Sequence, residues 1–282
     1  MPDTVEDPVH DAELAVFERK SLALDAAAAG GLPGAFESFR LGGLRASIAT
    51  ADQYGFLNTV EGLNEHSVEH LPEVLNRFAN RHQITIIATS PSQALNDRML
   101  DQGYELAPVR PIAVLRVGAI RPDGADRNQW EIREVSSAPD AALFADLLDA
   151  GYAATDNVRS LIRTEHALPM VRAFIAFRNG EPLAAAAMSV QNAVAVLGGA
   201  STLPAARGAG AQSALLGHRI RVARAFGCPL AAATAAPRSP SVRNLARLGF
   251  TIVERTAWRV KSTTSDEVRG SWSPAEPSAT RG

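Results

Sequence analysis

The feature that most constrains this chain is a pattern that occurs twice. Ser90-Pro91-Ser92 opens a segment that closes on Gly103-Tyr104, and Ser239-Pro240-Ser241 opens one that closes on Gly249-Phe250. Ser-Pro suits the start of a helix and Gly its end. Each segment follows a predicted helix and strand, at 72–82 and 83–89 in the first case and at 210–226 and 229–234 in the second. Each precedes another strand, at 112–117 and 257–260. The two copies differ in spacing by three residues. A chain of 282 residues has room for two such units, so the pattern reads as a degenerate tandem repeat of one α/β unit. The polar stretch 121–129, RPDGADRNQ, separates them as a linker. The expected units are 1–120 and 130–261. Residues 262–282, rich in Ser, Thr and Pro, lack the apolar surface to offset the entropy of ordering and read as a disordered tail.

Within the second unit, 130–135 reads as a strand, and 140–150 and 157–166 read as helices with apolar residues at helical spacing. The segments 171–177 and 183–190 are β-rich and joined by Asn179-Gly180, a strong hairpin signal. The run 193–202 is continuously apolar, as a buried central strand is. The order is β-α-α-β-β-β-α-β-α-β, a mixed α/β sheet with helices on its faces. Upstream, the alanine-rich run 22–32 is too short to span a membrane.

Chemistry concentrates at 202–216, TLPAARGAGAQSALL, between the buried strand and a long helix. Orphan N–H groups converge at a helix start, and the helix dipole favours negative charge there. Gly208 and Gly210 let backbone approach phosphate oxygens that a Cβ would obstruct, and Arg207 adds a charge. No Lys follows, and the preceding elements are hairpins, so this is neither a Walker loop nor a dinucleotide fingerprint. The alternative is a glycine-rich turn with no ligand.

Here the chain resembles the GNAT superfamily of N-acetyltransferases, whose acyl-CoA loop is Gln/Arg-x-x-Gly-x-Gly/Ala after the fourth strand. Arg207-Gly208-Ala209-Gly210-Ala211-Gln212 matches it except at Gln212, and 239–250, ending Leu-Gly-Phe, resembles the family's later helix and strand. The likeness covers roughly 130–260, and the first half looks like a second, degenerate GNAT-like unit. The resemblance implies acetyl-CoA as co-substrate and no metal. It places Ser201, Thr202 and Leu203 along the pantetheine arm, with the Leu203 amide polarising the thioester carbonyl. Arg207, Gly208, Ala209, Gly210, Ala211 and Gln212 would lie on the pyrophosphate, and Asn244 and Ser241 near the CoA arm, Ser241 being equally suited to capping its helix.

The proton carriers are less legible. The family often has Tyr four residues before the Gly of Gly-Phe, and that place holds Leu245. Glu165 and His166 are the candidate general base, although a solvated helix end is the reading their position favours, and Thr202 or Ser201 relaying through water is the alternative. In the first half the corresponding loop, 58–71, has only Gly62 and lacks Arg-Gly-x-Gly, so it should not bind CoA. Its His66, Glu69 and His70 do not form a zinc-type motif. That half is expected to be structural or to shape the acceptor pocket, together with the loops around 151–168. His218, on the apolar helix face, and Cys228 read as core filler; Arg219, Arg221 and Arg224 fall off the apolar stripe.

Composition narrows the classes. The net charge of −2 offers no basic field for nucleic acid. One cysteine excludes a disulfide framework, and the acidic, polar N-terminal stretch is unlike a secretory signal, which together suit the cytoplasm. The expected activity is transfer of an acyl group from acetyl-CoA to an amine of a small molecule or peptide, with no nucleic acid or membrane partner and with room for a homodimer. An acyl-CoA-sensing protein without turnover, or an interaction scaffold, are the other readings.

Overall fold

A computed structural model describes residues 7–78, 83–119, 129–152 and 154–260. The linker except its last residue, and the C-terminal tail, lie outside the described residues.

The N-terminal segment forms helix α1 (Pro8–Ala29), capped by the Asp7 carboxylate on the Val9 and His10 amides. It extends well beyond the alanine-rich run at 22–32. Strands β1 (Phe36–Leu41), β2 (Leu44–Ala49) and β3 (Thr59–Glu61) form an antiparallel meander. Next come a short α2 (Leu71–Asn76), β4 (Thr85–Thr89), α3 (Gln93–Asp101), β5 (Tyr104–Ala107) and β6 (Ile112–Arg116). The helix expected over 72–82 is thus a single turn and a half among the described residues.

The second unit runs β7 (Glu131–Glu134), α4 (Ala138–Tyr152), α5 (Asp156–His166), β8 (Arg172–Arg178), β9 (Glu181–Gln191) and β10 (Val194–Thr202). It closes with α6 (Ala211–Ala225), β11 (Leu230–Thr234), α7 (Pro240–Arg247), β12 (Thr251–Val253) and β13 (Arg255–Val260). The Asn179-Gly180 hairpin forms as read, both residues having positive φ. A second two-residue turn, Asn192-Ala193, also has positive φ at both positions, without the glycine that would announce it.

Two mixed sheets result, in the orders β1-β2-β3-β4-β13-β5 and β12-β6-β11-β10-β9-β8-β7. The repeat is real, but its units exchange closing strands. β6, the last strand before the linker, lies between β11 and β12 of the second sheet, and β13, the last strand of the chain, lies between β4 and β5 of the first.

The second sheet is covered on both faces, which is why its central strands are apolar at every position. Ala113, Leu115, Ala195, Leu197, Ala231 and Ala233 face α6, and the alternate residues Ile112, Val114, Val194, Val196, Leu230 and Ala232 face Ala12 and Ala15 of α1. α4 covers the same face further along, through Phe144, Leu147 and Leu148. α1 therefore has buried residues around much of its circumference, among them Phe17, Arg19 and Leu24.

α1 also grips the first sheet through charge. Lys20 and Arg255 pair with Glu61, Arg45 pairs with Glu13, and Glu13 accepts from the Thr89 hydroxyl. Burial alone would raise the Glu61 carboxyl; Lys20, Arg255 and Arg45 outweigh it and hold it at about 2.

Candidate functional site

β10 and β11 run parallel from Val194↔Leu230 to Leu197↔Ala233, and there the pairing ends. β10 continues alone along β9 to Thr202↔Ala184. The register shifts on the way: Gly198 faces Ala187 and Ser201 faces Ala185, so Gly199 and Ala200 bulge opposite a single residue. The strands thus part into a wedge whose wall is the bulge and whose end is the turn into α6.

That turn forms an open cradle at the start of α6. A single 3-10 turn, Pro204–Ala206, precedes Gly208 and Gly210, whose φ values are +80° and +86°. Nothing within 4 Å would meet a Cβ at Gly208, and at Gly210 only the Trp130 indole nitrogen comes within 4 Å. The Trp130 indole anchors the turn by donating to Ala209 O at 3.1 Å. The first rung of α6 is Ala214 N–H to Gly210 O, which leaves the amides of Ala211, Gln212 and Ser213 outside the helical ladder. Arg207 is exposed beside them.

The strand end is more occupied than its sequence suggests. The Gln212 side chain folds back to donate to Ser201 O and, at 2.9 Å, to Thr202 Oγ1. The Ser201 hydroxyl is buried and donates to Leu147 O at 2.7 Å. The Leu203 amide donates to Leu183 O at 2.9 Å, completing the β9–β10 ladder. It is therefore not available to polarise a thioester, and that expectation is corrected. At the bulge the Ala200 amide is engaged as well, donating to the Tyr152 hydroxyl. Gly151 permits this approach: a Cβ there would fall 2.4 Å from the Ser201 Cβ, so only glycine lets the end of α4 lie on β10 and carry Tyr152 over the bulge. Burial raises the Tyr152 phenol to about 12 and keeps it protonated.

Glu165 and His166 end α5 against this bulge, not in solvent. Glu165 pairs with Arg19 at 2.9 Å. His166 Nδ1 lies 2.8 Å from Ile162 O, an acceptor only, so the proton sits on Nδ1 and Nε2 carries the lone pair. Among the described residues Nε2 is buried without a partner, and a Cβ at Gly199 would lie 2.1 Å from it. Burial lowers the imidazole's proton affinity and Arg19 lowers it further, against the opposing pull of Glu165.

Arg219, off the apolar stripe of α6, is nevertheless buried, donating to Ala187 O at 2.9 Å and Gly198 O at 3.4 Å, the residues paired across the two strands at one edge of the bulge. In α7 the cap is the Ser239 hydroxyl, which accepts from Val242 N–H; Ser241 is exposed one position inside the helix, and Asn244 Oδ1 accepts from Arg247. His218 packs edge-on against Phe174, and Cys228 is buried. Arg19, Tyr152, Ala200 and Arg219 escaped sequence reasoning. Only Gly151, a glycine at a helix end before one of three tyrosines, hinted at a close approach.

The first sheet has the same parallel pair, β3 with β4, but no cradle. The Asn64 side-chain Oδ1 accepts from the His66 and Ser67 backbone amides, and the Ser67 hydroxyl accepts from the Asn64 backbone amide, so the loop satisfies itself. Among the described residues no group of three or more His, Cys, Asp or Glu could hold a metal, and no helix is long and apolar enough to cross a membrane.

Residues 132–250 match the model of the acetyltransferase (GNAT) family. Among solved structures, the fold is similar to a GCN5-related N-acetyltransferase from Kribbella flavida (TM-score 0.58, 17% identity, covering 86% of this chain and 96% of that one). It is also similar to a tandem GNAT protein from the clavulanic acid biosynthesis pathway (TM-score 0.56, 14% identity, 90% and 96%). A third likeness is to a GCN5-related N-acetyltransferase from Sphaerobacter thermophilus (TM-score 0.55, 16% identity, 90% and 93%). Among curated proteins no sequence matches.

Proposed function

Starting from a chain that carries an acetyltransferase (GNAT) family domain at 132–250 within a tandem GNAT fold, we propose that the protein transfers an acyl group from acetyl-CoA to an amine of a small molecule or peptide, both substrates being bound together. The observation that carries the reading is the wedge between β10 and β11, ending in a turn with unpaired helix amides and open space above two positive-φ glycines. The pyrophosphate lies on the amides of Ala211, Gln212 and Ser213, with Arg207 beside it. The pantetheine arm follows β10, and Ser241 and Asn244 remain proposed contacts from α7.

The thioester carbonyl then lies at the bulge beside the Tyr152 hydroxyl, which accepts from the Ala200 amide and keeps its own proton for the leaving group. The amine nitrogen attacks the carbonyl carbon and gives its proton to His166 Nε2, with Glu165 beside it; the C–S bond breaks and the thiolate takes a proton from the Tyr152 hydroxyl. Solvent returns the proton from imidazolium to phenolate, which closes the cycle. Holding donor and acceptor in one wedge supplies much of the barrier reduction.

Isothermal calorimetry with CoA tests the donor site: Gly210→Glu places a carboxylate in the cradle and should abolish binding. Thiol release from acetyl-CoA across a panel of amines tests turnover. The buried Leu245, where the family often has a tyrosine, favours a second reading, acyl-CoA binding without transfer, and that reading holds if CoA binds and no amine releases thiol.

A further inference from the structure

We propose that Arg19, carried on the N-terminal helix ahead of the first repeat, is a positioning residue for His166 at the site of the second. This rests on the reading of His166 as the proton acceptor. Arg19 bridges two elements that frame the bulge. Its Nε and NH2 groups each lie 2.9 Å from Glu165 Oε1 at the end of α5, and its NH1 group donates to Val196 O of β10 at 3.1 Å. A Cβ at Gly198 would come within 3.2 Å of the guanidinium, so the glycine just before the bulge is what lets the arginine lie flat against the strand. The side chain is 7% exposed.

The bridge does two things. It fixes the last turn of α5 relative to β10, and His166 follows Glu165 directly in that turn. It also absorbs the Glu165 charge. An unpaired carboxylate next to the imidazole would favour the imidazolium, which has no lone pair to accept a proton. With Arg19 in place the ring stays neutral, with Nε2 free of a proton. The other groups around the ring do not perform this task. From α4 come the Phe144 ring and, nearer the bulge, the Tyr152 phenol. Asp146 and Asp149 of α4 are held by Arg163, and Asp149 also by Arg159. β10 presents the Gly199 backbone.

Thus α1, which is anchored to the first sheet through Lys20 and Glu13, reaches the second unit's chemistry through one side chain. This gives the catalytically silent half a direct part in the reaction.

The test reads the His166 ring by NMR titration of histidine-labelled full-length protein, assigned with His166→Gln. Arg19→Gln should move the His166 midpoint to higher pH, and Glu165→Gln should move it to lower pH. Arg19→Lys should restore most of the Arg19→Gln effect. In thiol-release assays Arg19→Gln should lower kcat roughly ten- to a hundredfold, with the acid limb of the pH profile shifted the same way and KM for acetyl-CoA little changed. A folded Arg19→Gln protein whose His166 titrates as in the wild type, or lower, overturns the proposal. So does an unchanged kcat. If Arg19→Gln does not fold, Glu165→Gln decides by the direction of its shift. Wild-type protein that releases no thiol with any amine sinks the transferase reading, while the titration still decides the role of Arg19.

Discussion

Trp258 gives the sharpest test of the exchanged strands. It lies on β13, near the end of the described chain, yet it is fully buried in the core of the first sheet with Ile84, Ile86, Leu95 and Met99. Its neighbours in the ladder are Ile86 of β4 and Leu106 of β5. Truncating a fully buried tryptophan to alanine removes its transfer energy and leaves a cavity, together about 3–5 kcal/mol. Among the described residues the indole nitrogen has no hydrogen-bond partner, so part of the native burial is already unfavourable. Trp258→Ala should therefore fall near the lower end, about 3 kcal/mol, and Trp258→Phe should cost less than half of that. Against a domain stability of about 5–15 kcal/mol, the alanine variant remains mostly folded. Native-state hydrogen exchange resolves where the loss appears. Amides of β4 and β5, more than 150 residues away in sequence, should lose protection before those of β9 and β10. Loss confined to the second sheet, or a protein ending at residue 120 that folds with native protection in β4 and β5, would show that the exchange is not what holds the first sheet together.

Four further outcomes follow from the geometry. Gln212→Ala frees Ser201 O and Thr202 Oγ1 for the pantetheine arm, so calorimetry should show CoA affinity rising about fivefold, the worth of roughly 1 kcal/mol of hydrogen bond; weaker binding would mean that Gln212 itself holds the cofactor. Glu61, held at about 2 against an ordinary 4.5, contributes stability that is fully present above pH 4.5 and is lost as pH falls toward 2, up to about 3 kcal/mol; Glu61→Gln should flatten the acid limb of the urea-midpoint profile. Gly199→Ala places a Cβ 2.1 Å from His166 Nε2 at a φ of +55°, and should cost about 2 kcal/mol or more in thermal unfolding as well as displacing the ring; a neutral result would argue against the packed bulge. Trp130→Phe removes the indole bond to Ala209 O, and CoA dissociation should quicken severalfold in a stopped-flow displacement assay.

The tandem repeat, the mixed sheets and the glycine-rich turn after the buried strand were legible because each rests on local chemistry. Positive-φ glycines, a Ser-Pro helix start, an Asn-Gly hairpin and an unbroken apolar strand report their geometry within a few residues. Glu165 and His166 stood out by residue type, but not their surroundings, because the helix that buries them lies more than a hundred residues earlier. The Leu203 amide shows the converse: a strand end looks free in one dimension, and only the register of β9 against β10 assigns its hydrogen bond.

The sequence by itself determined that this chain holds two α/β units and that one of them ends its central strand in a glycine-rich turn at a helix start, since backbone conformation at glycine and proline is decided residue by residue. Tertiary structure alone decided which sheet receives β6 and β13, that α1 lies between the sheets, and that Arg19, Tyr152 and Arg219 converge on one bulge. Strand pairing and the burial of charge depend on partners far apart along the chain, and no short-range pattern encodes the choice among several apolar strands of similar length.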